Sequence, residues 1–223
     1  MVKRIVIKVG GATLFQNGGF QSELRSLIAK FEADQVWMLA GGGDLVESMR
    51  TAHRIYPKLD AVQIHWRCIE LLDHTWQLAN EIFLADSPIT TFEDLKRVAS
   101  IHNRSGVHWV RVQSFYNRAE CHDIPDAWCP ESSWNTTTDA LAWLLAKRID
   151  ADRVILMKQC ECDPNWSLTE ASQRGIIDSE LARLVSINGA ARPSVEFSSK
   201  YNCRISRLSS ALPSLRSTLP EGG

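Results

Sequence analysis

The stretch RIVIKVGGA at residues 4–12 indicates the fold of this chain. Residues 4–9 form a run dominated by β-branched apolar side chains, which is typical of a strand. The two glycines at positions 10 and 11 end the run, because glycine favours turns over strand interiors. Residues 20–31 then carry apolar side chains at helical spacing. This part of the chain therefore predicts a strand, a glycine loop and a helix in succession.

The same alternation continues along the chain. The further predicted elements are a strand at 36–40, a helix from 44, a long helix at 60–83, a strand at 109–112, a helix at 138–149, a strand at 153–158, a short helix at 178–185 and closing strands at 195–197 and 204–208. Strands that alternate with helices predict βαβ units and a largely parallel sheet. We therefore expect an α/β fold with a ligand at the carboxyl ends of its strands.

Size and charge exclude several classes of protein. The chain has 223 residues and 44% hydrophobic residues, which is enough for one domain with a buried core. The formal charge of −1 argues against a general nucleic-acid binder, which needs a basic surplus. No apolar run approaches the roughly 20 residues of a membrane span. With no signal pattern at residues 1–4, we expect a cytoplasmic protein that binds neither nucleic acid nor membrane.

The six cysteines give no metal signature. They stand at irregular spacing, and no C-x2-C pair occurs. A chain of this length does not need disulfide bonds to stabilise its core. We expect reduced thiols and no protein-bound metal.

Two glycine loops are candidates for binding an anion. Lys8 is close to the first, formed by Gly10 and Gly11, while the second precedes a helix and consists of Gly41, Gly42 and Gly43. Glycine lets backbone N–H groups approach a phosphate, and a helix N-terminus offers free donors. Each loop alone could be only a tight turn, and Lys8 alone could be a solvated lysine. Together they predict a phosphate-bearing ligand between the loops.

A third polar segment adds a carboxylate and a second lysine. Asp139 follows three threonines at the start of a predicted helix, and Lys158 ends the predicted strand 153–158. Asp139 could hold a lysine, help to bind Mg²⁺, or only cap its helix. Lys158 could neutralise phosphoryl charge or be a surface residue. Trp134, beside the threonines, is a candidate ligand contact, whereas His65 and Trp66 fit either ligand stacking or packing.

These motifs resemble those of the amino acid kinase superfamily, which includes acetylglutamate, aspartate, carbamate and uridylate kinases. The matching stretches are IVIKVGGA at 5–12, LAGGG at 39–43, TTTDALA at 136–142 and ADRVILMK at 151–158. The resemblance spans residues 3–163 in the same order. It implies a three-layer αβα sandwich, transfer of the γ-phosphoryl group of ATP with Mg²⁺ to a small-molecule acceptor, and a homodimer.

The resemblance also implies roles for individual residues. Lys8 would stabilise the transferring phosphoryl group and Asp139 would orient the lysines. Gly10 and Gly11 would hold the nucleotide phosphates, and the nucleotide site would be completed by Lys158, Gln159 and Cys160. The acceptor would contact Gly41, Gly42, Gly43, Trp134 and Thr137. Residues 1–223 would form one domain, with an acceptor part at about 1–130 and a nucleotide part at about 131–223.

The stretch SWNTTTD at 133–139 is most similar to one small branch of the superfamily. That branch phosphorylates an (aminomethyl)furanmethyl phosphate in methanofuran biosynthesis. Two departures leave alternatives open. Residues 160–162 read CEC where many members have VDG, and no GGMxxK stretch supplies a second catalytic lysine, so Lys158 or Lys200 is a candidate for that role. A non-catalytic binding protein of the same fold, or a kinase for another carboxylate or phosphate, are the alternatives.

Overall fold

The computed structural model describes residues 2–16, 18–101, 105–119, 121–163, 165–189, 192–199 and 205–207. The strands are β1 (Arg4–Val9), β2 (Gln35–Ala40), β3 (Gly106–Trp109), β4 (Arg153–Lys158), β5 (Ser194–Ser199) and β6 (Ile205–Arg207). The helices are α1 (Gly11–Gln16), α2 (Phe20–Ala29), α3 (Gly43–Ile55), α4 (Ala61–Ile82), α5 (Phe92–Ser100), α6 (Thr138–Arg148), α7 (Leu168–Gln173) and α8 (Ser179–Asn188).

The six strands form one sheet in the order β3-β2-β1-β4-β5-β6. The first five strands in this order are parallel, and β6 pairs antiparallel with β5. Side chains of β1 alternate between two apolar clusters, with Val6 in one and Ile5 and Ile7 in the other. Apolar clusters on both faces of the sheet make three layers. The predicted α/β sandwich is confirmed, and β1 lies inside the sheet with its carboxyl end at the glycine loop.

Helix α6 is buried on all sides. Every residue from Thr138 to Ala146 is buried, and the helix packs on β1, β2 and β4 and against α8. A helix that is apolar around its circumference belongs to a protein core. Its N-terminus is therefore held in the interior, where a charged residue such as Asp139 must find a partner.

Two features differ from the sequence expectations. The strand predicted at 109–112 is β3, which lies at Gly106–Trp109, and Val112–Ser114 is a 3₁₀ turn. After Trp109, the N–H of Val110 still donates to the carbonyl of Met38, and the chain then turns away from the sheet at Val112–Ser114. The sequence does not predict the short helices α1, α5 and α7. No described helix is long and apolar enough to cross a membrane.

Candidate active site

Two lysines share one carboxylate at the carboxyl end of the sheet. The Nζ atom of Lys8 lies 2.9 Å from Oδ1 of Asp139, and Nζ of Lys158 lies 2.5 Å from Oδ2. Lys8 pairs in register with Leu156 on β4, so Lys158 stands two positions further along the neighbouring strand. Side chains two positions apart point to the same face of a sheet. Both lysines therefore meet Asp139, which is in the first turn of α6.

Burial sets the electrostatics of this cluster. Only 1% of Asp139 is exposed, and burial alone would raise its pKa, but the charges of Lys158 and Lys8 hold that pKa at about 2. Burial lowers the pKa of Lys8 more than Asp139 raises it. Burial alone would lower the pKa of Lys158, but the charge and hydrogen bond of Asp139, together with the charges of Asp178 and Cys160, raise it. With both lysines protonated, the three side chains carry one net positive charge, which suits an anionic ligand.

Asp178 supports this cluster, although its sequence signal indicated only a helix start. Its Oδ2 atom accepts hydrogen bonds from the N–H and hydroxyl of Thr137 and from the N–H of Ala140. Its Oδ1 atom accepts from the N–H of Leu181 and caps α8. Burial, followed by the nearby charge of Asp139, raises the pKa of Asp178 to about 6. Asp178 thus joins α8 to the N-terminus of α6.

The two glycine loops touch each other. A methyl group on Gly11 would overlap the backbone N and Cα of Gly43, and Gly43 has a φ of +53°. This contact leaves no room for a side chain at Gly11. A residue other than glycine at Gly43 would also be strained by the positive φ. The contact places the start of α1 against the start of α3, so both loops border the same space.

That space is a cavity of about 240 Å³. This volume is somewhat below the range of about 300–1,000 Å³ that is usual for small-molecule sites, so the cavity suits a small ligand. Of the residues predicted for the site, the cavity wall includes Lys8, Gly11, Gly41, Gly42, Gly43, Trp134 and Thr137. The remaining wall comes mainly from α3 and α4, through Val46, Glu47, Arg50, His65, Cys68, Ile69 and Leu72, and from Ser133, Thr136, Thr138 and Leu141.

Other predicted site residues lie beside the cavity. Asp139 and Lys158 form the buried pair next to Lys8 but are not part of the described wall. Gly10, Gln159 and Cys160 are also absent from that wall. The Gln159 amide donates to the hydroxyl of Thr13, which follows the first glycine loop. Lys200 lies outside the described residues.

His65 and Trp134 shape the far side of the cavity. His65 bonds through Nδ1 to the carbonyl of Ser133 at 3.1 Å and through Nε2 to the hydroxyl of Tyr116 at 3.0 Å. Burial lowers the pKa of His65. The hydrogen bond to Ser133 raises that pKa, but by less than burial lowers it. Trp66 instead stacks on Tyr116 in the core. From the sequence, both residues fit either ligand stacking or packing. In the structure Trp66 packs in the core, whereas His65 lies on the wall of the cavity.

Asp139 is not free to ligate a metal, because each of its oxygens faces a lysine ammonium. Within the described part of the chain, no group of three His, Cys, Asp or Glu residues could hold a metal ion. The alternative in which Asp139 binds Mg²⁺ is therefore not supported by its surroundings, and Asp139 holds the lysines.

Comparisons with known proteins give a fold but no sequence relative. No family model matches the sequence, and no curated protein matches it. A crystal structure of uridylate kinase from Archaeoglobus fulgidus matches with a TM-score of 0.54 and 18% identity, over 86% of this chain and 89% of that one. The chain has the fold of this kinase.

An aspartate kinase from Clostridium acetobutylicum matches with a TM-score of 0.52 and 10% identity, over 92% of this chain. The present chain spans 62% of the length of that aspartate kinase. Both neighbours belong to the amino acid kinase superfamily that the sequence motifs resemble. At these identities the likeness establishes the architecture, and the chemistry has to be argued from the site itself.

Proposed function

We propose that this chain is an ATP-dependent kinase that transfers a phosphoryl group to an anionic small molecule. The observation that carries the proposal is the pair of lysines held by Asp139 beside two touching glycine loops. Phosphoryl transfer needs positioning and neutralisation of charge rather than a protein nucleophile. The buried ammonium groups and the backbone donors supply both requirements. Direct in-line transfer between two bound ligands then needs no covalent intermediate on the protein.

Each residue has a stated role in this proposal. Lys8 lies on the cavity wall, so its ammonium stabilises the transferring phosphoryl group. Asp139 holds Lys8 and Lys158 in place. The N-terminus of α3 binds the acceptor through Gly41, Gly42 and Gly43, together with Trp134 and Thr137. The nucleotide lies on the other side of Lys8, along Gly10, Gly11, Lys158, Gln159 and Cys160. We assign the acceptor part mainly to residues at about 1–130 and the nucleotide part mainly to about 131–223, with Trp134 and Thr137 reaching the acceptor and Gly10 and Gly11 reaching the nucleotide.

Magnesium enters this proposal only as part of the nucleotide. Because both oxygens of Asp139 face lysine ammonium groups, we assign Mg²⁺ to the phosphates of ATP and to water. The protein's own contribution is then the positive charge of the two lysines.

The acceptor we propose is a phosphate-bearing (aminomethyl)furan, whose product would be a diphosphate. The support is the resemblance of residues 133–139 to that branch, together with the small cavity that Trp134 borders. We also propose a homodimer on the basis of the resemblance, and mass measurement in solution tests that prediction.

The kinase proposal is tested by following ADP and phosphorylated product from Mg·ATP. The acceptor panel contains (aminomethyl)furanmethyl phosphate, uridine monophosphate, aspartate and carbamate. We expect turnover with the furan phosphate, and a loss on the order of 100- to 1,000-fold in kcat for Lys8→Met. Lys3→Met is the matched control, since Lys3 is 64% exposed and pairs only loosely with Glu32 at 3.8 Å.

Two results would contradict the proposal in different ways. Full activity of Lys8→Met would exclude the mechanism. Binding of ATP or acceptor without any product across the panel would favour the non-catalytic alternative. The motivating features of that alternative are the CEC stretch at 160–162 and the missing GGMxxK stretch.

A further inference from the structure

Arg50 is a charged residue of the cavity wall to which the proposed function assigns no role. It lies on α3, seven residues after Gly43, and an α-helix has 3.6 residues per turn. Two turns therefore return Arg50 to the face that begins at the glycine loop. Side chains on a helix also lean towards its N-terminus. The guanidinium of Arg50 and the ammonium of Lys8 thus border one cavity of about 240 Å³.

The guanidinium of Arg50 has donor capacity to spare. Its Nη1 atom lies 3.6 Å from Oε2 of Glu47, which is longer than a hydrogen bond. Glu47 is contacted more closely by Arg54, at 3.1 Å. The Nε atom of Arg50 is buried and has no hydrogen-bond partner among the described residues. The side chain as a whole is 37% exposed, so the Nη groups at its end can reach a ligand in the cavity.

Trp134 holds this guanidinium in position. The Arg50 Cζ atom lies 5.5 Å from the centroid of the Trp134 ring, within the range of a cation–π contact. The indole N–H of Trp134 donates to Nδ1 of His53 at 2.6 Å, and Nε2 of His53 bonds to the carbonyl of Leu59 at 3.1 Å. These hydrogen bonds hold the Trp134 ring in one orientation. Because the guanidinium of Arg50 lies over that ring, it is ordered before a ligand binds.

We propose that Arg50 determines acceptor specificity by binding the acceptor's phosphate. Its two Nη groups form the fork that matches two phosphate oxygens, while a further oxygen faces Lys8 for phosphoryl transfer. This inference rests on the proposed function for the identity of the acceptor. The binding itself does not require catalysis, so it can be tested without ATP.

The experiment is isothermal titration calorimetry with furfuryl phosphate in the absence of nucleotide. The wild-type protein is compared with Arg50→Gln, which removes the charge, and Arg50→Lys, which keeps the charge but lacks the fork. Arg54→Gln is the matched control, because Arg54 lies one turn further on the same helix, is 71% exposed and has Glu47 and Thr51 as partners. Circular dichroism checks that each variant is folded.

We expect about 10- to 100-fold weaker binding for Arg50→Gln, a smaller loss for Arg50→Lys, and a change below about twofold for Arg54→Gln. Furfuryl alcohol should not bind measurably, because it lacks the phosphate. The inference is overturned by the absence of saturable wild-type binding, by unchanged binding in both Arg50 variants, or by equal losses in the Arg50→Gln and Arg54→Gln proteins.

The two proposals fail in distinguishable ways. If furfuryl phosphate binds through Arg50 but no acceptor is phosphorylated, the kinase proposal fails and the assignment of Arg50 stands. If (aminomethyl)furanmethyl phosphate is phosphorylated with an unchanged acceptor KM in Arg50→Gln, the kinase proposal stands and the assignment of Arg50 fails.

Discussion

At the scale of the residue, Lys8 and Asp139 should affect stability to different extents. Burial disfavours the charged form of Lys8 in the folded state and lowers its pKa. Replacing Lys8 by Met removes that unfavourable charge, but it also takes the ion partner from Oδ1 of Asp139 and leaves Lys158 on Oδ2. These two effects oppose each other, so we expect Lys8→Met to change the free energy of unfolding little while losing activity.

Asp139→Asn should instead destabilise the fold, by about 3–5 kcal/mol, because two buried ammonium groups then lose their counter-ion. Urea denaturation at neutral pH measures both free energies of unfolding, with Lys3→Met as the control. Equal destabilisation by Lys8→Met and Asp139→Asn would contradict the view that Lys8 is retained for its chemistry.

His65 should make stability depend on pH. Burial lowers the pKa of His65 in the folded protein, so the unfolded chain binds a proton more readily. Stability due to the neutral ring is present above the ordinary pKa of 6.5 and is lost as the pH falls below it. We expect His65→Gln to lose less stability between about pH 7.5 and 5.5 than the wild type.

The measurement for His65 is urea denaturation at these two pH values. His74→Gln is the matched control, since His74 is an exposed histidine on the same helix. The expectation fails if His65→Gln keeps the full pH dependence of the wild type, or if the His74 variant changes it as much.

At the scale of the element, the contact between the two glycine loops should tolerate no side chain. A methyl group on Gly11 would meet the backbone of Gly43, which cannot move aside by changing a rotamer. We expect Gly11→Ala to cost about 1–3 kcal/mol of stability and to weaken acceptor binding, because α1 and α3 must separate.

Gly18→Ala is the control for this change, since a methyl group there would meet no atom within 4 Å. Urea denaturation and acceptor titration report the two effects separately. The prediction is wrong if Gly11→Ala keeps the stability and the acceptor affinity of the wild type, because the two loops could then separate without affecting either.

At the scale of the whole molecule, nucleotide binding should stabilise the fold. A ligand that binds only the folded state adds about 2.7 kcal/mol at a hundredfold excess over its dissociation constant. We expect Mg·ATP to raise the melting temperature of the wild type, and to raise that of Lys8→Met by less. No shift for any nucleotide, with the acceptor also present, would argue against the proposed nucleotide site.

The order of elements was largely predictable from the sequence. Runs of β-branched residues, such as 4–9 and 153–158, and glycines that end them are local signals, and they placed β1 and β4 correctly. Short elements were less predictable. Helix α5 buries just Leu95 and Val98, with Phe92 and Ala99 packed against the core, and β3 has only four residues, so both give weak periodic signals.

By itself, the sequence determined the α/β architecture, the two glycine loops and the candidacy of Lys8, Asp139 and Lys158, since these depend on short stretches of chain. The resemblance implied that Asp139 orients the lysines, but only the tertiary structure gave the contact of each lysine with a separate oxygen of Asp139, because Asp139 is far from Lys8 in the chain. It also decided the places of Asp178, His65 and Arg50. Each acts through partners from other segments, and a linear pattern does not record which segments meet.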